Sequence, residues 1–347
     1  MNNRLARALN GDVPDQVPFL PAIYEHKGWF VGETPSAVAR NAHLLTRALQ
    51  AEYERVQPDA LIVGIDIYNI EAEAIGCSVN FYEGNDTSVP AIGSEGAVFH
   101  GTEDIASLRM PDPQKDGRMP LNLEVARNIV NLLGKEIPIR GAVSGPFSLA
   151  AHLAGPGKFF LLTMMQPDLA KGLLKFASEV IKQYGKAFIE LGCGIIMFDS
   201  HASPDLLSPQ MYRELVLPPT QGVITYFRGL GLQHVPLIIG GNTTKILDAY
   251  LETGANNLLC DTKADPKAFI EKCAKARRSF RRNIDSSDFL QVSSDEVYHR
   301  ALNSLEESGG YHGFILGSAV LPYGTPDSHL TAMREAIREY KKRAGSV

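Results

Sequence analysis

Residues 235–265 read VPLIIGGNTTKILDAYLETGANNLLCDTKAD. Two short apolar runs in it, 235–240 and 257–261, are each bounded by Pro, Gly or Asp in the manner of buried strands. The longer segment between them supplies the crossover that a parallel pair requires. The same unit recurs on both sides. Upstream lie 17–24 (VPFLPAIY), 60–66 (ALIVGID), 138–144 (PIRGAVS) and 194–199 (GIIMFD); downstream lie 281–285 (RRNID) and 313–317 (GFILG). Between the first two of these, Thr34-Pro35 opens a helix whose apolar Val38, Ala42, Leu45, Leu49 and Tyr53 recur at spacings of three and four, and Pro58-Asp59 ends it. Eight strands alternating with helices, with no Gly-rich dinucleotide fingerprint after the first, favour a closed (β/α)8 TIM barrel over an open doubly wound sheet.

The 347 residues would allow two domains of ordinary size. A barrel uses roughly 200–400 residues as one unit, so the strand count assigns 1–347 to a single domain. Residues 69–120, rich in Gly, Pro and acids, form an insertion after the second strand, expected over the barrel mouth; a short helix closing at Gly134 follows it. No repeat with a period of roughly 20–50 residues is present.

A hydrophobic fraction of 44% and a charged fraction of 21% exclude disorder as the dominant state. Lys and Arg number 34 against 39 Asp and Glu, a net charge of -5, which excludes a polyanion binder such as a nucleic-acid protein. One basic run, 272–282 (KCAKARRSFRR), reads as a solvated helix end leading into a strand. The start of the chain has no secretory signal, and no apolar run is long enough to span a bilayer, so a cytoplasmic protein with no membrane partner is expected. Cys77, Cys193, Cys260 and Cys273 show no C-x-x-C pairing and fit a reducing compartment.

In such a barrel the reacting groups lie at the C-terminal ends of the strands, where the βα loops converge. Those ends carry Tyr24-Glu25-His26, Asp66, Asp199-Ser200-His201, Gly240-Gly241-Asn242, Cys260-Asp261 and Asp285-Ser286. Glu25, His26, Asp66, Asp199 and His201 are the candidate catalytic groups. Tyr68, Asn242, Asp261 and Asp285 are candidate substrate contacts, with His152 on the helix after the third strand. The alternative for each is a turn or cap role, since Asp and Gly also end strands for turn reasons.

At these segments the chain resembles the uroporphyrinogen decarboxylase superfamily, which includes the haem-pathway decarboxylase and a branch of corrinoid-dependent methyltransferases, O-demethylase-like proteins among them. The resemblance rests on RLARALNGDVPDQVPF (4–19), PDALIVGIDIYNIEAEAIGC (58–77), GAVSGPFSLAAHLAG (141–155), GIIMFDSHASPDLLSPQMYRELVLPP (194–219), the opening stretch and GFILGSAVLPYGTP (313–326). It implies a single barrel and a homodimer. The decarboxylase branch carries an R-Q-A-G-R segment after the first strand, to bind carboxylates; here Tyr24-Glu25-His26-Lys27-Gly28-Trp29 stands there. The decarboxylase's late L-G-H-G histidine falls at Ser318, and its P-W-T tyrosine at His152. Its second-strand aspartate is kept as Asp66. Thiol-methylating members of the other branch carry H-x-C on the fifth strand and a Cys near the eighth, a zinc site. Here those places read Leu237-Ile238-Ile239-Gly240-Gly241 and Ser318-Ala319.

The resemblance therefore implies the other half-reaction, in which a methyl group passes from a small O- or N-methylated donor, such as a methoxylated aromatic, to the reduced corrinoid of a partner protein. The chain length leaves no room for a corrinoid domain beside the barrel, so the carrier is expected as a separate protein. An ether is a poor electrophile, and its leaving oxygen needs a proton or a Lewis acid. His26, His152 or His201 would supply the first. Glu25, Asp199, His201 and Cys260 are the candidate metal ligands for the second, with zinc suited to such a mixed set. Gly240-Gly241 would let a large planar ligand approach the backbone, and Trp29 and Tyr68 would wall an aromatic donor. Two alternatives remain: a decarboxylase or lyase of a smaller acid using Asp66 and a histidine, and a catalytically silent barrel with a binding role.

Overall fold

The computed structural model describes residues 4–93, 95–100 and 105–344. Its strands are β1 (Leu61–Val63), β2 (Val79–Asn80), β3 (Ala91–Ile92), β4 (Ile139–Ser144), β5 (Gly194–Phe198), β6 (Leu237–Ile238), β7 (Asn257–Cys260), β8 (Ser279–Ile284) and β9 (Phe314–Ser318). Apart from the antiparallel β2–β3 hairpin, every pairing is parallel, in the orders β1-β4-β5-β6 and β7-β8-β9. Helices occupy the connections, as the alternation of apolar runs and helical segments predicts.

The first expected strand, 17–24, is the exception in form. It makes only two parallel bridges to the last barrel position, Phe19↔Leu316 and Ala22↔Val320. Pro18 and Pro21 carry no N–H, so a continuous ladder cannot form there. What remains is Leu20 N–H donating to Leu316 O, Leu316 N–H to Pro18 O, Leu321 N–H to Ala22 O and Ala22 N–H to Ser318 Oγ. On its other side, the Asp59 N–H donates to Phe19 O at 2.9 Å, and the Asp59 carboxylate accepts the Phe19 N–H at 2.7 Å. The segment thus bridges β9 and the start of β1.

Between β6 and β7 a side chain replaces the ladder. Tyr250, fully buried on the helix Leu247–Glu252, donates its hydroxyl to Leu237 O at 2.6 Å. The same oxygen accepts the N–H of Ile239 at 3.2 Å and of Leu259 at 3.1 Å. Three buried backbone groups on two strands share one hydroxyl. Tyr250→Phe should therefore cost about 2 kcal/mol or more in urea denaturation, because each orphaned buried group costs about 1–3 kcal/mol; a loss below about 0.5 kcal/mol would show that these strands pair without it.

The barrel interior is filled by Ala22, Tyr24, Ile62, Ala142, Ile196, Phe198, Ile238 and Leu259. Leu5, Ala8 and Leu9 of the first helix, Arg4–Asn10, close its N-terminal end against Leu20, Ala60 and Ile315. The expected first long helix is two, Pro35–Ala39 and Ala42–Val56, because the Asn41 side chain accepts the Leu44 N–H and starts a new helix. The insertion holds the helix Ile70–Ile75 and the β2–β3 hairpin. The helix that follows, Met119–Leu133, has 15 residues rather than a short run. Among the described residues no helix is long and apolar enough to cross a membrane.

Candidate active site at the barrel mouth

A cavity of about 330 Å³ opens at the C-terminal ends of the strands, between the barrel rim and the insertion hairpin. Tyr24 and Tyr68 stand on either side of Phe198, each edge-on to its ring, with centroids 5.8 and 5.9 Å away. The Tyr68 hydroxyl lies 2.8 Å from Ser200 Oγ. His152 and His201 meet edge to face at 4.9 Å. Val89, Pro90 and Ile92 of the insertion complete an apolar wall.

Ser148 locks the two histidines' elements together. It sits one turn before His152 on the helix Pro146–Ala154, where residues four apart share a face. Its hydroxyl accepts the His201 N–H at 3.0 Å, and its own N–H donates to Asp199 Oδ1 at 2.7 Å. Asp199 thereby caps a helix N-terminus, while burial pushes its carboxyl up to about 6. Gly145 makes room for it, since a Cβ at Gly145 would lie 2.2 Å from the Asp199 carboxyl carbon.

Burial decides the protonation of the site. It pushes His152 down to about 4, helped by the neighbouring His201, and also lowers His201. Both imidazoles are neutral at pH 7, not imidazolium acids, and His152 Nε2 and His201 Nδ1 are buried without a hydrogen-bond partner among the described residues. Burial raises Glu25, whose side chain makes no helix cap although it precedes the helix His26–Val31. The folded state refuses a proton at His152 that the unfolded chain accepts below about 6.5, so this group's contribution to stability is lost as pH falls from 6.5 toward 4. The His152 ring resonances should accordingly stay flat from pH 8 to about 5; a titration centred near 6.5 would contradict this burial.

Glu25, Asp66, Tyr68, His152 and His201, chosen from the sequence, line this cavity together. Asp66 is not a free carboxylate there. Arg118 holds it with two bonds, of 2.8 and 2.6 Å, and also binds Glu73 at 2.6 Å. Arg118 was not singled out in the sequence, because nothing in the spacing of 52 residues ties it to Asp66.

The other sequence candidates lie elsewhere. His26, fully buried, packs edge-on against Phe30 at 4.7 Å, and burial lowers it to about 4. Asp199 caps the helix as described. Asp261 braces the rim, accepting the Gly241 N–H at 2.9 Å and the Asn283 amide at 3.2 Å. Asn242 starts a short 3-10 turn, and exposed Asp285 accepts the Ser287 N–H in a local turn. Trp29, 44% exposed, meets Tyr323 edge to face outside the cavity. Gly241, at φ +86°, admits no side chain: a Cβ there would lie 2.5 Å from Ser203 Oγ and 2.7 Å from Asp205 Oδ2.

The metal candidates Glu25, Asp199, His201 and Cys260 do not converge. Cys260 accepts from Arg282 at 3.7 Å, and burial pushes its thiol up to about 12, so it is no thiolate. Among the described residues no three His, Cys, Asp or Glu side chains are placed to hold a metal. These residues do not fit zinc.

An α/β barrel with a small, aromatic-walled cavity at its mouth, roofed by an insertion and holding acid–base groups, defines the class as barrel proteins that act on small molecules at the strand ends. The chain belongs to the uroporphyrinogen decarboxylase family, whose model matches residues 1–340. It is 29% identical over 343 residues to the methylcobamide:CoM methyltransferase MtbA of Methanosarcina acetivorans, covering 97% of both chains. It is 26% identical to the methylcobamide:CoM methyltransferase MtaA of Methanosarcina barkeri, covering 98% of both. Among solved structures it superposes on a methyltransferase from Methanosarcina mazei with a TM-score of 0.85 at 24% identity, over 97% of this chain and 98% of that one. The similarity to these two relatives falls on the methyltransferase branch of the family.

Proposed function

We propose that this chain is a corrinoid-dependent methyltransferase of the donor side, moving a methyl group from a small O-methylated compound, such as a methoxylated aromatic, to the reduced corrinoid of a separate partner protein. The observation that carries the reading is Glu25: it is the one carboxyl lining the cavity without an ion pair among the described residues, and burial favours its protonated form. Tyr24, Tyr68 and the apolar hairpin fit a flat, neutral donor. Among the described residues no Lys or Arg lines the cavity, so it offers a donor or acid bearing a carboxylate no free cation. The relatives named above are methylcobamide:CoM methyltransferases, which supports a corrinoid as the other party to the methyl transfer; in their names methylcobamide is the methyl donor, and the opposite direction is our reading of the cavity.

The partner's reduced corrinoid supplies the nucleophile. As the bond from oxygen to methyl carbon breaks, its electron pair stays on the oxygen, and Glu25 passes its proton to that atom. Neutral His152 and His201 and the Tyr68–Ser200 hydroxyl pair orient the donor, while the apolar wall excludes water. Glu25 regains a proton from solvent at the rim.

The test combines the purified chain with a reduced corrinoid carrier that methyl iodide methylates, and with a panel of methoxylated and methylated-amine donors. Conversion of the Co(I) spectrum to that of methyl-Co(III) with an O-methylated donor is expected. No conversion with any donor, with a competent carrier, would overturn the proposal.

A further inference from the structure

The opposite end of the barrel holds a second cavity, of about 350 Å³. It lies where strands begin: Arg140 is the second residue of β4, Gly194 opens β5, and Gln233 and His234 precede β6. Its remaining walls are apolar or glycine, with Leu5 and Leu9 of the first helix on one side. Among the described residues no carboxylate lines it.

Arg140 is only 6% exposed, and the one charge acting on it is the like charge of Arg281, itself 3% exposed inside the barrel. Neither forms an ion pair among the described residues. Buried guanidiniums are ordinarily paired, because desolvating an uncompensated cation is costly. Burial and Arg281 together press Arg140 down to about 10, the direction expected of a cation lacking its counterion.

The tautomer of His234 adds a second donor. Asn256 Oδ1 accepts the Val235 N–H at 2.9 Å, so its amide nitrogen is the atom 2.6 Å from His234 Nδ1. That nitrogen donates, and Nδ1 must accept. Burial, Arg140 and Arg228 all lower His234, which keeps the ring neutral with its proton on Nε2. The cavity therefore presents the guanidinium of Arg140, the Nε2–H of His234 and the Gln233 amide, with the guanidinium and the Nε2–H able only to donate.

We propose that this cavity is a binding site for a small oxyanion, carboxylate or phosphate, held bidentately by Arg140 and by His234 Nε2–H, at the end of the barrel remote from the mouth. An oxyanion supplies the missing countercharge and accepts the free donors. The site stands independently of the methyl-transfer reading.

Thermal unfolding of the purified chain at fixed ionic strength tests it, with sodium chloride replaced by inorganic phosphate in one arm and by acetate in another. A rise in Tm of about 2 °C or more in at least one of these anions is expected. Arg140→Met should lose that rise, while its Tm in chloride equals or exceeds that of the wild type, since a buried unpaired cation has been removed. Equal Tm values in all three salts for the wild type, or an undiminished rise in Arg140→Met, would overturn the proposal. Should Arg140→Met fail to fold, calorimetric titration of the stabilising anion into His234→Ala decides: binding weakened several-fold supports the site, and unchanged binding refutes it.

Discussion

Glu25→Gln is expected to slow methyl transfer from an O-methylated donor by roughly 10²–10⁴-fold, the usual worth of a positioned general acid. Gln keeps the size and hydrogen-bonding shape of the side chain and removes only the transferable proton, so the loss should appear in kcat with little change in KM. Two controls make the result specific. A quaternary methylammonium donor leaves as a neutral amine and needs no proton, so its transfer rate should change far less. Burial raises Glu25, so its acid form disappears only at a pH above the usual carboxylate range, and wild-type kcat should fall as pH rises through that value. The variant should lose this limb of the profile. An equal slowing with both donor types, or an unaltered pH profile, would place Glu25 in binding and not in proton transfer.

The barrel was legible because short apolar runs bounded by Pro, Gly or Asp recur along the chain, and that pattern does not depend on any one residue. What the pattern could not show is how two seams of the barrel are held. Pro18 and Pro21 reduce the first strand to bridges, and between β6 and β7 the hydroxyl of Tyr250 stands in for backbone pairing. The site was legible as a location and less so as a set of roles. Glu25 and His26 are adjacent at the start of a helix, where successive residues turn by about 100°; Glu25 therefore reaches the cavity while His26 faces Phe30. Asp199 and His201 divide in the same way, one turned to the N-terminus of the helix Pro146–Ala154 and the other to the cavity. Reading side chains as a rim assigns them one direction, and only packing separates them. In the proposed reaction proton donation falls to Glu25 and not to the histidines for a related reason: residue type suggests a histidine acid at pH 7, but burial lowers His152 and His201 and raises Glu25.

Arg118→Met should destabilise the fold by about 3–5 kcal/mol, the usual result of removing one partner from a buried ion pair. The guanidinium does four things at once. It holds both oxygens of Asp66, binds Glu73, donates to Ala39 O at 3.3 Å and lies 4.9 Å over the ring of Phe81 in the insertion. Without it, Asp66, 3% exposed, keeps only the Asn69 amide at 3.1 Å. Its carboxyl must then either stay charged in a dry site or take up a proton, and either choice costs stability near neutral pH. The sign with pH follows. Acid relieves a stranded buried carboxylate by neutralising it, so the deficit should shrink as pH falls and grow as pH rises. Arg118→Met combined with Asp66→Asn should recover part of the loss, because the amide removes the stranded charge while keeping its shape. The double-mutant cycle should then give a coupling of at least about 1 kcal/mol. Urea unfolding at pH 5 and pH 8 measures all of this; additive losses, or a deficit independent of pH, would mean that Arg118 stabilises through Phe81 and Ala39 and not through Asp66. The same ion pair ties the end of the insertion to the rim of the second strand, so a variant that remains folded should also lose affinity for the methyl donor, since the hairpin that roofs the cavity is anchored beside it.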